Sequence, residues 1–216
     1  LRYLQIERSS FIGKIVNYLS FTSSVLLRLF TLNKYKILIV YSNPPILPLV
    51  ALLSKALFRN KVIFIGFDIY PEIAYKSNVI TNTCTIYKLL SWVSNVTVKY
   101  ADKVVVLSED MKDFLLKERM YSKEERISVI PIWATEETNE YTAQKKCEKF
   151  IVAYLGNMGI CQDMETILNT AELLQKKDVE NIEFILAGHG TKLPGIKEMC
   201  QEKSLKNVRI YDFLHG

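Results

Sequence analysis

What most restricts the fold of this chain is an alternation of short β-branched runs, loops of turn residues and segments whose apolar residues recur at helical spacing. A strand that is followed each time by a helix cannot return through a tight hairpin, so consecutive strands run in one direction in a parallel sheet. The expected strands are Ile37–Tyr41, Lys61–Phe67, Lys103–Leu107 and Ile127–Ile130. Between the second and third, Ile86, Leu89, Leu90, Val93, Val96 and Tyr100 mark an amphipathic helix over Thr83–Ala101. The pattern then breaks at Pro131–Glu148, which is polar, acidic and without either period. It resumes with strands Phe150–Leu155, Ile182–Ala187 and Val208–Phe213, and with helices over Asp163–Lys176 and Gly195–Lys203. The expected class is α/β: a first domain over residues 1–131, a linker over 132–148 and a partial second domain over 149–216.

Other classes fall away on particular residues. Phe11–Phe30 is apolar but interrupted by Lys14, Asn17 and Arg28, and its longest uncharged run, Ile15–Leu27, is shorter than the roughly 18 residues a membrane span needs. Two readings of this helix stand, one packed on the core and one lying on a membrane surface. Ile37–Leu57 has few charges, but Ser42-Asn43-Pro44-Pro45 cuts it into strand, loop and helix. Cys84, Cys147, Cys161 and Cys200 have irregular spacing and no partnering histidine cluster, which suits reduced thiols in a cytoplasmic protein and no metal site. Residues 1–131 carry 18 Lys and Arg against 10 Asp and Glu, a net of +8, whereas 132–216 carry 10 against 13, a net of −3. A basic front half attracts anionic lipid, nucleic acid or a phosphorylated acceptor. Nucleic acid is disfavoured, because no aromatic residues interleave with the basic ones on one face. The chain begins at Leu1 and stops just after a strand, so both ends read as cut.

In an open parallel sheet, ligands bind beyond the carboxyl ends of the strands, where loops enter helix N-termini. Those loops hold Ser42-Asn43-Pro44-Pro45, Asp68-Ile69-Tyr70-Pro71-Glu72, Ser108-Glu109, Gly156-Asn157-Met158-Gly159 and Gly188-His189-Gly190. Glycine directly after a strand lets a pyrophosphate approach the backbone, although the turn itself needs glycine about as often. Neither loop has the Gly-x-Gly-x-x-Gly spacing, which disfavours a dinucleotide-binding oxidoreductase.

Taken in order, these motifs resemble family 4 glycosyltransferases, in particular the branch that builds bacterial capsule, O-antigen and related surface polysaccharides. The matching landmarks are Ser42-Asn43-Pro44-Pro45, Asp68-Ile69-Tyr70-Pro71-Glu72, Tyr100-Ala101-Asp102 before Val104-Val105-Val106-Leu107-Ser108, and Val129-Ile130-Pro131. Tyr154-Leu155-Gly156-Asn157-Met158-Gly159 and Phe184-Ile185-Leu186-Ala187-Gly188-His189-Gly190 follow in the second half. The resemblance implies two Rossmann-like domains of GT-B architecture, the second incomplete, with the acceptor on the first and the nucleotide-sugar on the second. It implies a retaining, hexosyltransferase-type enzyme using a UDP- or GDP-sugar, without cofactor or metal. The acceptor would be linked to polyprenyl phosphate or be a saccharide, and the enzyme would lie in the cytoplasm or peripherally on the inner face of the cell membrane, an anionic surface.

The implied site residues are Asp68 and Glu72 as catalytic candidates, and Gly156, Asn157, Gly159, Gly188, His189 and Gly190 on the donor side. Asn43, Pro44 and Ser108 fall on the acceptor side. Each has a plainer reading: Asp68 as a turn former, Glu72 as a first-turn helix acid, Ser108 as a helix cap, the glycines as turn formers. Trp92 and Trp133 read as core or linker packing. The family's pattern is departed from at Asn157, Cys161 and Gln162, where basic residues usually meet the diphosphate, and its paired donor glutamates are absent. This stretch alone is therefore expected to transfer no sugar. The competing reading is a non-catalytic remnant that binds a nucleotide or a partner.

Overall fold

A computed structural model describes residues 2–6, 11–119, 121, 123–132 and 149–212. The chain divides into two compact units, Leu1–Thr135 and Glu136–Gly216. Trp133, Cys147 and nearly all of the expected linker lie outside the described residues.

The first unit opens with α1 (Phe11–Leu26), and Asn17 fastens the preceding segment to it by exchanging two 2.8 Å hydrogen bonds with the backbone of Ile6. A 3-10 turn (Leu29–Lys34) leads into β1 (Ile37–Tyr41), α2 (Leu47–Phe58), β2 (Lys61–Gly66), α3 (Glu72–Lys76), α4 (Thr85–Tyr100), β3 (Lys103–Val106), α5 (Glu109–Lys117) and β4 (Ile127–Val129). The Asn43–Pro44 and Tyr70–Pro71 peptide bonds are cis. The four strands are parallel in the order β1-β2-β3-β4. Parallel connections in one sheet are right-handed, so stepping always the same way places every crossover helix on one face. Burial follows: Val40, Val62, Phe64, Val104, Val106 and Ile127 point into a core with α2, α4 and α5. Fully burying each of these side chains contributes roughly 1.5–3 kcal/mol. The opposite face leaves Ile37, Ile39 and Tyr41 exposed, and β1 is an edge strand.

Asp102 fixes the start of β3. Its carboxylate accepts from the Val62 amide at 2.9 Å and from Lys55 at 2.7 Å. Burial disfavours its charge, but these bonds outweigh that and hold its carboxyl below the ordinary value.

The second unit contains β5 (Phe150–Leu155), α6 (Met164–Lys176), β6 (Ile182–Ala187), α7 (Leu193–Glu202) and β7 (Val208–Tyr211). Its strands are parallel in the order β5-β6-β7. Met158, Met164, Leu168, Leu186 and Ile196 form its core, while Phe150, Ile151 and Leu155 on the edge strand are exposed.

Two expectations need correction. In α4 the buried residues are Val93, Thr97 and Val98, while Ile86, Leu89 and Tyr100 face solvent: the period identified the helix but not the side it buries. Trp92 does not pack in a core, being 54% exposed on the same helix.

Candidate functional site

In the second unit the two glycine loops interlock at the carboxyl ends of β5 and β6. The Gly156 amide donates to Ala187 O at 3.0 Å, Met158 N donates to His189 O at 2.7 Å, and Lys192 N donates to Met158 O at 2.9 Å. Glycine is required by this contact: a Cβ on Gly188, whose φ is +141°, would lie 1.9 Å from Gly156 O, and one on Gly190 would lie 2.1 Å from Met158 O. The approach of one loop to the other thus accounts for Gly188 and Gly190 without a ligand. Gly156 also has a positive φ, +157°, but a Cβ there meets nothing closer than the Tyr154 hydroxyl at 3.8 Å, so its backbone conformation and not the loop contact calls for glycine. Gly156, Asn157 and His189 are exposed at this mouth, whereas Gly159 is buried, its amide donating to Gln162 Oε1 at 3.0 Å. The N-termini of α6 and α7 follow the two loops at the same end of the sheet, the first capped by Asp163, which accepts from Thr166 N at 3.2 Å, and the second carrying Pro194.

In the first unit the loops after β1 and β2 are tied by Ser42. Its buried hydroxyl accepts from the amides of Phe67 and Asp68, both at 3.1 Å. The Asp68 carboxyl is half-buried, lines a water-sized cavity of about 20 Å³ with Ser42 and Tyr70, and is pushed up by that burial. Among the described residues no hydrogen bond or ion pair engages it. A carboxyl of this kind keeps its proton to higher pH and is suited to proton transfer with a hydroxyl.

Glu72 is placed otherwise. Both its oxygens accept from Arg119 at 2.7 Å, and Arg119 also donates to Tyr70 O at 3.1 Å, Ser91 Oγ at 3.0 Å and Asn95 Oδ1 at 2.7 Å. With side chains only 10% and 19% exposed, this pair knits α3, α4 and the end of α5 together. The carboxylate, expected as a catalytic candidate, is held by Arg119. Ser108 caps α5, accepting from Met111 N at 3.3 Å. Asn43 and Pro44 line a cavity of about 330 Å³ with Tyr18 and Phe21 of α1, separate from the one that Asp68 lines.

No model of a known protein family matches the chain. Over 180 residues, 79% of this chain and 44% of the relative, it is 23% identical to the probable glycosyltransferase WbjE of Pseudomonas aeruginosa. It superposes on a variant of S. aureus TarM, crystallised with Fondaparinux, α-GlcNAc-glycerol and UDP, with a TM-score of 0.61 at 19% identity, over 92% of this chain and 37% of that one. Anabaena HepE in complex with UDP gives 0.61 at 12% identity, over 93% of this chain and 54% of that one. The fold is that of the GT-B glycosyltransferases. The chain spans about half or less of the length of these proteins.

Two residues stand at the candidate loops that the sequence did not single out, one in each unit. Arg119 carries no local signal, since its partners lie 24 to 49 positions away. Lys192 follows the second glycine loop, yet its ammonium reaches the first, donating to Gln162 O at 2.8 Å and Glu165 Oε2 at 2.8 Å. A basic group thus stands beside a loop that has none of its own. Among the described residues no three His, Cys, Asp or Glu side chains cluster to hold a metal ion, and no helix is long and apolar enough to cross a membrane.

Proposed function

We propose that this chain is part of a retaining glycosyltransferase that moves a sugar from a UDP- or GDP-sugar to a lipid-linked or saccharide acceptor in surface polysaccharide synthesis. The observation that carries the reading is the interlocked pair of glycine loops at the N-termini of α6 and α7. The positive ends of these two helices suit the diphosphate of a nucleotide-sugar, and Lys192, which is paired with Glu165 at 2.8 Å, is the cation nearest to hand for its charge. The acceptor belongs to the first unit, with Asp68 beside it. In the transfer, the acceptor hydroxyl oxygen bonds to the anomeric carbon, the bond from that carbon to the diphosphate breaks, and the hydroxyl proton passes to the leaving diphosphate or to Asp68. The basic first unit is suited to hold the protein at an anionic membrane where a polyprenyl-phosphate-linked acceptor resides.

The test is an assay of the full-length parent with a panel of UDP- and GDP-sugars and membrane lipid acceptors, beside the 216-residue chain. Turnover by the parent, with loss of nucleotide-sugar affinity in Lys192→Gln, is the expected result. Nucleotide binding with no transfer to any acceptor would favour a non-catalytic binding module, and no binding at all would remove the donor assignment.

A further inference from the structure

A cavity of about 630 Å³ lies between the last turns of α2 and α4 and the segment that joins α5 to β4. Five basic side chains line it, Lys55, Lys99, Arg119, Lys123 and Arg126, and no acidic one does. Two are neutralised from outside the cavity: Lys55 by Asp102 at 2.7 Å and Arg119 by Glu72 at 2.7 Å. Lys99, Lys123 and Arg126 have no ion-pair partner among the described residues. Positive charges gathered in a concave wall repel one another and concentrate anions from solution.

A second observation points the same way. The hydroxyl of Tyr121, on the cavity wall, is buried and makes no hydrogen bond, and a buried polar group without a partner is disfavoured. Arg126 approaches it without reaching hydrogen-bond geometry, and Glu125 acts on it from outside the cavity. An oxyanion seated here would accept from the Tyr121 hydroxyl and meet the free cations together.

We propose that this cavity is a binding site for a phosphate-bearing anion. The Arg126 guanidinium offers a planar fork for two phosphate oxygens, and Lys99 and Lys123 supply point charges beside it. The volume suits a diphosphate or a glycerophosphate headgroup. The site is distinct from the loops at the carboxyl ends of the strands and does not depend on the transferase reading.

The experiment measures binding of inorganic pyrophosphate by calorimetry, and of phosphatidylglycerol-containing against pure phosphatidylcholine vesicles by sedimentation, using the full chain. Variants are Lys123→Gln with Arg126→Gln, Tyr121→Phe, and a control of equal charge change, Lys34→Gln with Lys36→Gln, two exposed lysines of the same unit. We expect salt-sensitive binding that falls at least tenfold in the first variant, several-fold in Tyr121→Phe and little in the control. Binding of pyrophosphate identifies a soluble phosphate compound, whereas binding of the charged vesicles alone identifies a lipid headgroup. Failure of the unaltered chain to bind either probe, an equal loss in the control, or unchanged binding in Tyr121→Phe would overturn the proposal.

Discussion

Asp68 and Glu72 stand four positions apart, one in the loop after β2 and the other opening α3, yet their surroundings differ: one carboxyl is unengaged and half-buried, the other is clamped by Arg119. Because burial raises the Asp68 carboxyl above its ordinary value, ionising it disfavours the folded state. That penalty is absent below the unfolded-state value near pH 4 and complete once the pH exceeds the raised one. Asp68→Asn is therefore expected to raise the melting temperature at pH 7, with the gain vanishing toward about pH 3. Thermal melts across that range check it, and a difference independent of pH would contradict it. Arg119→Met should cost about 3–5 kcal/mol in urea denaturation, because it leaves the Glu72 carboxylate with no partner in a shielded position. Adding Glu72→Gln to that variant should recover part of the loss. A cost below about 1 kcal/mol would mean that the pair behaves as a surface bridge.

At the level of elements, two glycines of the second unit separate backbone necessity from convenience. Gly188→Ala forces the loops after β5 and β6 apart and is expected to destabilise by about 1–3 kcal/mol. Gly195→Ala, within α7 where an added Cβ meets nothing within 4 Å, should stabilise by about 0.5–1 kcal/mol. Chemical denaturation of both variants is the check, and equal effects would refute the loop contact. The strands were legible in the sequence because β-branched runs bounded by turn residues have few other uses, and the observed β1 begins and ends where expected. The face buried by α4 was not legible, since Thr97 is fully buried through a local bond from its hydroxyl to Val93 O at 2.8 Å, while apolar Ile86 and Leu89 stay outside. At the candidate site, the approach of the glycine loops could be anticipated from neighbouring parallel strands. The capture of Glu72 by Arg119 could not, because it depends on where a side chain from the far end of α5 arrives.

On the scale of the whole chain, each sheet carries its crossover helices on one side. The other side of the first sheet exposes Ile37, Ile39 and Tyr41 on an unpaired edge strand, and β5 exposes Phe150, Ile151 and Leu155. An apolar edge of this kind is a template for pairing with another chain. The 216-residue polypeptide is expected to bind a hydrophobic dye in its folded state and to self-associate as concentration rises, and Ile39→Lys should reduce both. Light scattering and dye fluorescence decide this, and a dilute-limit monomer at all concentrations would count against it. In a cell the same surface is an address label for quality control. Chaperones and proteases act on unprotected β-rich, apolar stretches, so the lifetime of the polypeptide would be governed by how soon its open strand is occupied rather than by how well its core is packed.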